Sequence, residues 1–124
     1  QAAGHIFVDR KNPARALESM KKAKKSMHKN PRSVIIFPEG TRSNNGKILP
    51  FKKGGLVLAM NLNMEVIPVG IIGTRTLLKN KFSNQDDTLK LNIGKPIKTS
   101  LLNYEDRDKL VKEVRDEVVK LGRC

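Results

Sequence analysis

Apolar residues fall along this chain in blocks whose spacing changes, and each change marks an element. Gly4 to Asp9 (GHIFVD) has the β-branched and aromatic content of a short strand. Asn12-Pro13 then supplies an N-cap residue followed by proline at the first helical position. From there to about Lys29, Ala16, Leu17, Met20, Ala23 and Met27 recur at helical spacing, with lysines filling the other positions. Asn30-Pro31 ends that helix. Ser33 to Phe37 (SVIIF) is a continuous apolar run, the pattern of a strand covered on both faces. Strand, helix and strand over residues 4–37 predict a βαβ unit with parallel strands.

Beyond it the pattern turns polar. Pro38 to Lys53 predicts a loop, with turn residues at Asn44, Asn45 and Gly46. Gly54 to Leu62 reads as a short apolar helix, and Glu65 to Ile72 as a buried strand weakened by Pro68, which lacks a ladder donor. Thr74 to Thr88 predicts a polar connector. Leu89, Leu91 and Ile93 then alternate with polar residues, the period of a strand with one wet face. Tyr104 to Leu121 predicts a closing amphipathic helix with Leu110, Val114, Val118 and Leu121 on one stripe, packed on the sheet. The fold class expected is α/β: a layered sheet with a βαβ unit and flanking helices, in a single domain over residues 1–124.

Composition narrows what that domain can do. With 124 residues a real core is possible, but four Phe, one Tyr and no Trp make it mostly aliphatic. The single cysteine, Cys124, excludes an intramolecular disulfide framework and a cysteine-based metal site. No apolar run reaches the roughly 20 residues that span a bilayer. Lys and Arg outnumber Asp and Glu by 25 to 12, a net charge of +13, so anionic partners are expected.

The densest polar constellation is Phe37-Pro38-Glu39-Gly40-Thr41-Arg42-Ser43, directly after the expected second strand. Ligands in α/β sheets bind at the carboxyl ends of strands, so the position suits a site. Gly40 permits close backbone approach, Arg42 offers a planar fork for phosphate, and Thr41 and Ser43 add hydroxyl donors. Glu39 can accept from a substrate hydroxyl or hold Arg42; in the plainest alternative Glu39 and Arg42 simply pair.

These residues resemble the third conserved block of the glycerolipid acyltransferases, the group that includes the 1-acylglycerol-3-phosphate acyltransferases. Two further blocks match in order: Gly4-His5-Ile6-Phe7-Val8-Asp9-Arg10 resembles the second, and Val66-Ile67-Pro68-Val69 the fourth. Phe51-Lys52-Lys53-Gly54 is similar to the family's F-K-x-G stretch. The resemblance is close over residues 3–75 and holds in outline beyond. It implies a partial acyltransferase domain that takes part in moving an acyl group from coenzyme A or acyl carrier protein to the free hydroxyl of a lysophosphatidate, giving phosphatidic acid. It further implies that Glu39, Gly40, Thr41 and Arg42 bind the acceptor's glycerol phosphate, that Arg10 is a second phosphate contact, that Val66 to Val69 shape the site, and that no metal or cofactor is needed.

One family feature is missing. The first block, His-x4-Asp, supplies a histidine base and the aspartate that orients it. Arg10 stands five residues after His5, and Ser33 five after His28. His5 and Asp9, four apart on a strand, would lie about 13 Å apart along its axis, too far to bond. The expectation is therefore a C-terminal piece of a longer, membrane-associated enzyme on the cytoplasmic side, inactive alone, with His5 at a strand edge and His28 solvated.

The run Lys21-Lys22-Ala23-Lys24-Lys25, followed by His28 and Lys29, has three readings: a solvated face, a docking surface for anionic lipid headgroups, or a track for nucleic-acid phosphates. Nucleic acid is not expected, because zinc ligands, a recognition-helix pair and stacking aromatics are missing. Two rivals to the lysophosphatidate reading remain: a related acyltransferase with another acceptor, and a non-catalytic basic module binding phosphate or nucleic acid.

Overall fold

The computed structural model describes residues 13–79 and 88–122. Along the chain run α1 (Pro13–Lys29), α2 (Gly54–Asn61), β1 (Val69–Ile72), α3 (Thr74–Lys79), β2 (Lys90–Ile93), a 3₁₀ turn (Tyr104–Asp106) and α4 (Arg107–Leu121). The chain divides into two compact units, residues 1–36 and 37–124.

In the first unit, α1 begins at the expected proline and ends at Lys29, where the Asn30 N–H bonds the Ser26 carbonyl. Ala23 and Met27, on the expected apolar stripe, are buried, while Leu17 is 59% exposed. Lys21, Lys22, Lys24, Lys25 and His28 are all exposed, His28 as expected. The expected strand at 4–9 lies outside the described residues.

Ser33 to Phe37 corrects the sequence reading: it is not a strand. Ile35 is 85% exposed and Phe37 74% exposed. An apolar run becomes a strand only when another strand satisfies its backbone, and no such partner lies among the described residues. The partner expected for it, the run at 4–9, lies outside the described residues, and the mixed helix and strand class holds.

The second unit is organised by α4. Leu110 and Val114 of α4 pack with Leu56 and Met60 of α2 as a buried cluster, flanked by Phe51, Val66, Ile97, Leu102, Val111 and Val118. The 3₁₀ turn before α4 starts with a capping box: the Asn103 N–H donates to the Asp106 carboxylate at 2.9 Å, and the Asn103 side chain accepts from the Asp106 backbone N–H. The C-terminal end is met by Asn92, whose Nδ2 donates to the Leu121 carbonyl at 2.7 Å. Lys53 and Asp108 join the starts of α2 and α4 at 2.6 Å, and the lysine's hydrogen bond lowers the Asp108 pKa.

Strands β1 and β2 pair antiparallel in register Val69↔Ile93, Gly70↔Asn92, Ile71↔Leu91 and Ile72↔Lys90. A separate bridge, Val66↔Ile97, continues the pairing beyond Pro68. Proline is tolerated between the two because the ladder there needs only its carbonyl, which accepts from the Gly94 N–H at 2.8 Å. The alternation over 89–93 has the expected period but the opposite face. Leu89, Leu91 and Ile93 are exposed, and the half-buried residue is Asn92. The face carrying Gly70 and Asn92 packs on α4, and a Cβ on Gly70 would stand 2.5 Å from the Leu121 carbonyl carbon. Only a glycine admits that approach. The connector expected over 74–88 contains a short helix, α3. Buried Thr99 ties the end of α2 to the following loop, its hydroxyl donating to the Met64 carbonyl at 2.8 Å with the Ala59 carbonyl 3.3 Å away.

Candidate functional site

The segment from Phe37 to Phe51 has no regular structure, so its shape depends on where its backbone groups find partners. It opens on a tight turn in which the Gly40 N–H donates to the Phe37 carbonyl at 3.1 Å. Gly40 has φ +72°, in the left-handed region that a side chain disfavours, so the turn itself requires this glycine. The two ends of the loop meet where the Lys52 N–H bonds the Pro38 carbonyl at 2.7 Å. This places the F-K-x-G stretch beside the start of the FPEGTRS loop, with Phe51 on the core and the Lys52 side chain exposed.

Glu39 points back across the loop. Its Oε2 accepts the Leu49 N–H at 2.8 Å, and the residue is half-buried. Arg42, three residues on, is exposed and makes no ion pair or hydrogen bond among the described residues. The plain alternative, Glu39 and Arg42 neutralising one another, is thus not what the loop does. Thr41 is exposed beside Arg42. The Ser43 hydroxyl, anticipated as a ligand donor, donates instead to Asn45 Oδ1 at 3.0 Å, an acceptor it shares with the Lys47 N–H. Arg10, together with His5 and Asp9, lies outside the described residues.

Two arginines that the sequence reading passed over clamp this loop. From α3, Arg75 Nη1 donates to the Asn45 carbonyl at 2.6 Å, with Nη2 3.3 Å from that of Asn44. Gly46, at φ +78°, lies against the same guanidinium, 2.9 Å from where its Cβ would be. From α4, Arg115 Nη2 donates to the Ile48 carbonyl at 2.9 Å and Nε approaches that of Leu49 at 3.3 Å. A signal for Arg115 exists in the sequence: it stands four residues after Val111 and three before Val118, on the half-apolar side of α4. Val66 to Val69 lie in the paired region with Pro68 buried, a structural placement.

The arrangement presents one cationic fork and one hydroxyl outward, on a loop whose carboxylate is already satisfied within the fold. Such an edge suits a phosphate monoester, since guanidinium binds phosphate through two parallel charge-assisted bonds. Among the described residues no cluster of His, Cys, Asp and Glu could hold a metal ion, and no helix is long and apolar enough to cross a membrane.

Comparison with known proteins agrees with the motifs. A family model described as Acyltransferase matches residues 1–72. The chain is 37% identical over 119 residues to a 1-acyl-sn-glycerol-3-phosphate acyltransferase of Limnanthes douglasii, a match covering 95% of this chain and 42% of that protein. The enzyme of the same name from Saccharomyces cerevisiae is 33% identical, over 94% of this chain and 40% of its own length. A crystal structure of the 1-acyl-sn-glycerophosphate (LPA) acyltransferase PlsC from Thermotoga maritima superposes with a TM-score of 0.63 at 34% identity, covering 86% of this chain and 45% of that one. The chain thus spans less than half the length of these relatives. With its ordered motif blocks, its family-model match and this shared fold, the chain belongs to the acyltransferase family.

Proposed function

We propose that the protein carrying this chain transfers an acyl group from acyl-coenzyme A or acyl carrier protein to the free hydroxyl of 1-acylglycerol-3-phosphate. In that reaction the hydroxyl oxygen attacks the thioester carbonyl, the C–S bond breaks, the thiol leaves with the hydroxyl proton, and phosphatidic acid results. Relatives bearing that name support the reading, and so does the match over residues 1–72, which crosses the boundary between the two compact units. Both units then belong to one partial acyltransferase domain.

The observation that carries the proposal is the contrast within the FPEGTRS loop: Glu39 is held by the Leu49 N–H, while Arg42 faces outward with no partner among the described residues. Arg42 binds the acceptor phosphate, with Thr41 adding a hydroxyl. Gly40 shapes the turn that presents them, and Glu39 anchors it. Arg10 keeps the role of second phosphate contact on its motif alone. Neither His5 nor His28 is given the role of base, since neither has an aspartate five residues on.

The exposed lysines of α1 support membrane association through anionic headgroups at the cytoplasmic face, where the acceptor and product reside. Replacing Arg42 with Ala in the native polypeptide tests the site. Loss of a charge-assisted bond of about 1.5–3 kcal/mol predicts a ten- to hundredfold higher KM for lysophosphatidate, with the donor KM unchanged. An unchanged acceptor KM would remove the loop from the acceptor site.

A further inference from the structure

The Ile48–Leu49 peptide bond is held from both sides. Its carbonyl accepts from the Arg115 guanidinium at 2.9 Å, and its N–H donates to the Glu39 carboxylate at 2.8 Å. A full cation and a full anion thus face opposite ends of one peptide dipole, in the orientation that polarises it favourably. Charge-assisted bonds are stronger than neutral ones, and bonds in series polarise one another. The second Arg115 contact, to the Leu49 carbonyl, fixes the following peptide as well. Both Glu39 and Arg115 are half-buried, so solvent screens this relay less than it screens the exposed pairs of the surface.

We propose that Arg115 is a positioning residue for the acceptor site: acting through the Ile48–Leu49 peptide, it holds the Glu39 carboxylate and thereby the turn that presents Thr41 and Arg42. The inference rests on the acceptor-site reading of that loop. The geometry links a residue near the C-terminal end of the chain to the FPEGTRS signature some seventy positions earlier, in a contact that no motif spacing announces. Arg75 grips the same loop at the Asn44 and Asn45 carbonyls, neither of which belongs to the peptide that bonds the Glu39 carboxylate. Lysine at 115 keeps the charge but loses the fork, so it restores at most one of the two carbonyl contacts.

The test uses the native polypeptide with Arg115→Gln, Arg115→Lys, Glu39→Gln, the Arg115→Gln/Glu39→Gln pair and Arg42→Ala, with KM read separately for lysophosphatidate and for the acyl donor. Arg115→Gln should raise the acceptor KM about tenfold with the donor KM unchanged, and Arg115→Lys should recover part of that. The pair should be no worse than the poorer single variant, as expected when two residues act through one peptide. A merely structural Arg115 predicts instead that both KM values and the thermal midpoint worsen together and that the effects of the pair add. Either that pattern or an unchanged acceptor KM overturns the proposal. Should Arg115→Gln not fold, Arg115→Lys decides alone, by whether acceptor KM rises without donor KM. The Arg42 variant separates the two ideas. If its acceptor KM rises while those of the Arg115 variants do not, only the role given to Arg115 falls; if it does not rise, the acceptor-site reading falls, and this inference with it.

Discussion

Helices α1 and α4 are both amphipathic and both rich in cations, yet they use them differently. On α1, Lys21, Lys24 and Lys25 are exposed and make no ion pair among the described residues, and Lys22 pairs only with Glu18 of the same helix at 2.9 Å. On α4 two of the three surface lysines are paired in the same local way, Lys112 with Asp116 and Lys120 with Glu117, but Arg115 is turned toward the loop and grips its backbone. The apolar stripes differ in parallel. Leu110 of α4 is 1% exposed, whereas Leu17 of α1 is 59% exposed. One helix fixes the FPEGTRS-containing loop through its backbone; the other leaves its charge to solvent or to an external anionic surface. The difference teaches that a cation matters to this fold when backbone carbonyls converge on it, and to a partner when they do not.

The largest effect that would break this comparison is on stability. Leu110→Ala empties a closed position and should cost about 2–5 kcal/mol, while Leu17→Ala at its exposed position should stay within about 0.5 kcal/mol. Denaturant midpoints compared at constant m-value check both; equal losses would mean that α1 is as deeply committed to the core as α4.

Next in size is the membrane term. Lys21, Lys24 and Lys25 share one face of α1, with His28 one turn further on. At about 1 kcal/mol each near an anionic surface, changing the three lysines to Gln should weaken partition onto anionic vesicles by roughly a hundredfold at low salt. The native difference should shrink as salt rises, because screening acts on exposed charge first. Binding that ignores the three changes would leave these lysines as a solvated face only, and retention on nucleic acid in place of vesicles would revive the rival reading.

The smallest effect lies in the Glu18–Lys22 pair, where the hydrogen bond from Lys22 and then its charge lower the Glu18 pKa. The folded value is thus below the unfolded one. Whatever the pair contributes is fully present above the unfolded carboxylate pKa and is lost as pH falls through the folded one. In Lys22→Gln the Glu18 carboxyl should titrate at higher pH by NMR. With both side chains largely exposed, the midpoint of unfolding should barely move.

Local chemistry carried much of this molecule. Proline at the start of α1, the stripe of α4 and the apolar block of α2 each predict their element, because capping and periodicity are properties of neighbouring residues. The FPEGTRS loop was legible as a candidate site for the same reason: an arginine, a hydroxyl and a turn glycine within a few positions suit an anion-binding chemistry. Ser33–Phe37 pairs with no strand among the described residues, because an apolar run specifies a preference for burial and not the partner strand that would satisfy its backbone. Leu89, Leu91 and Ile93 show a related limit. Alternation says which residues share a face, but Gly70 and Asn92 decided which face meets α4, one by having no side chain and the other by bonding the last carbonyl of the helix.

By itself, then, the order of residues determined the family, the main helices and the outward chemistry of Arg42, all of which depend on groups close together in the chain. The tertiary structure alone decided that Glu39 bonds Leu49 rather than Arg42, and that Arg115 completes the link from the other end of the chain. Those choices depend on which distant backbone groups a buried or half-buried charge can reach once the core has closed. Residue type states that such a charge needs a partner, and only the packed fold supplies one.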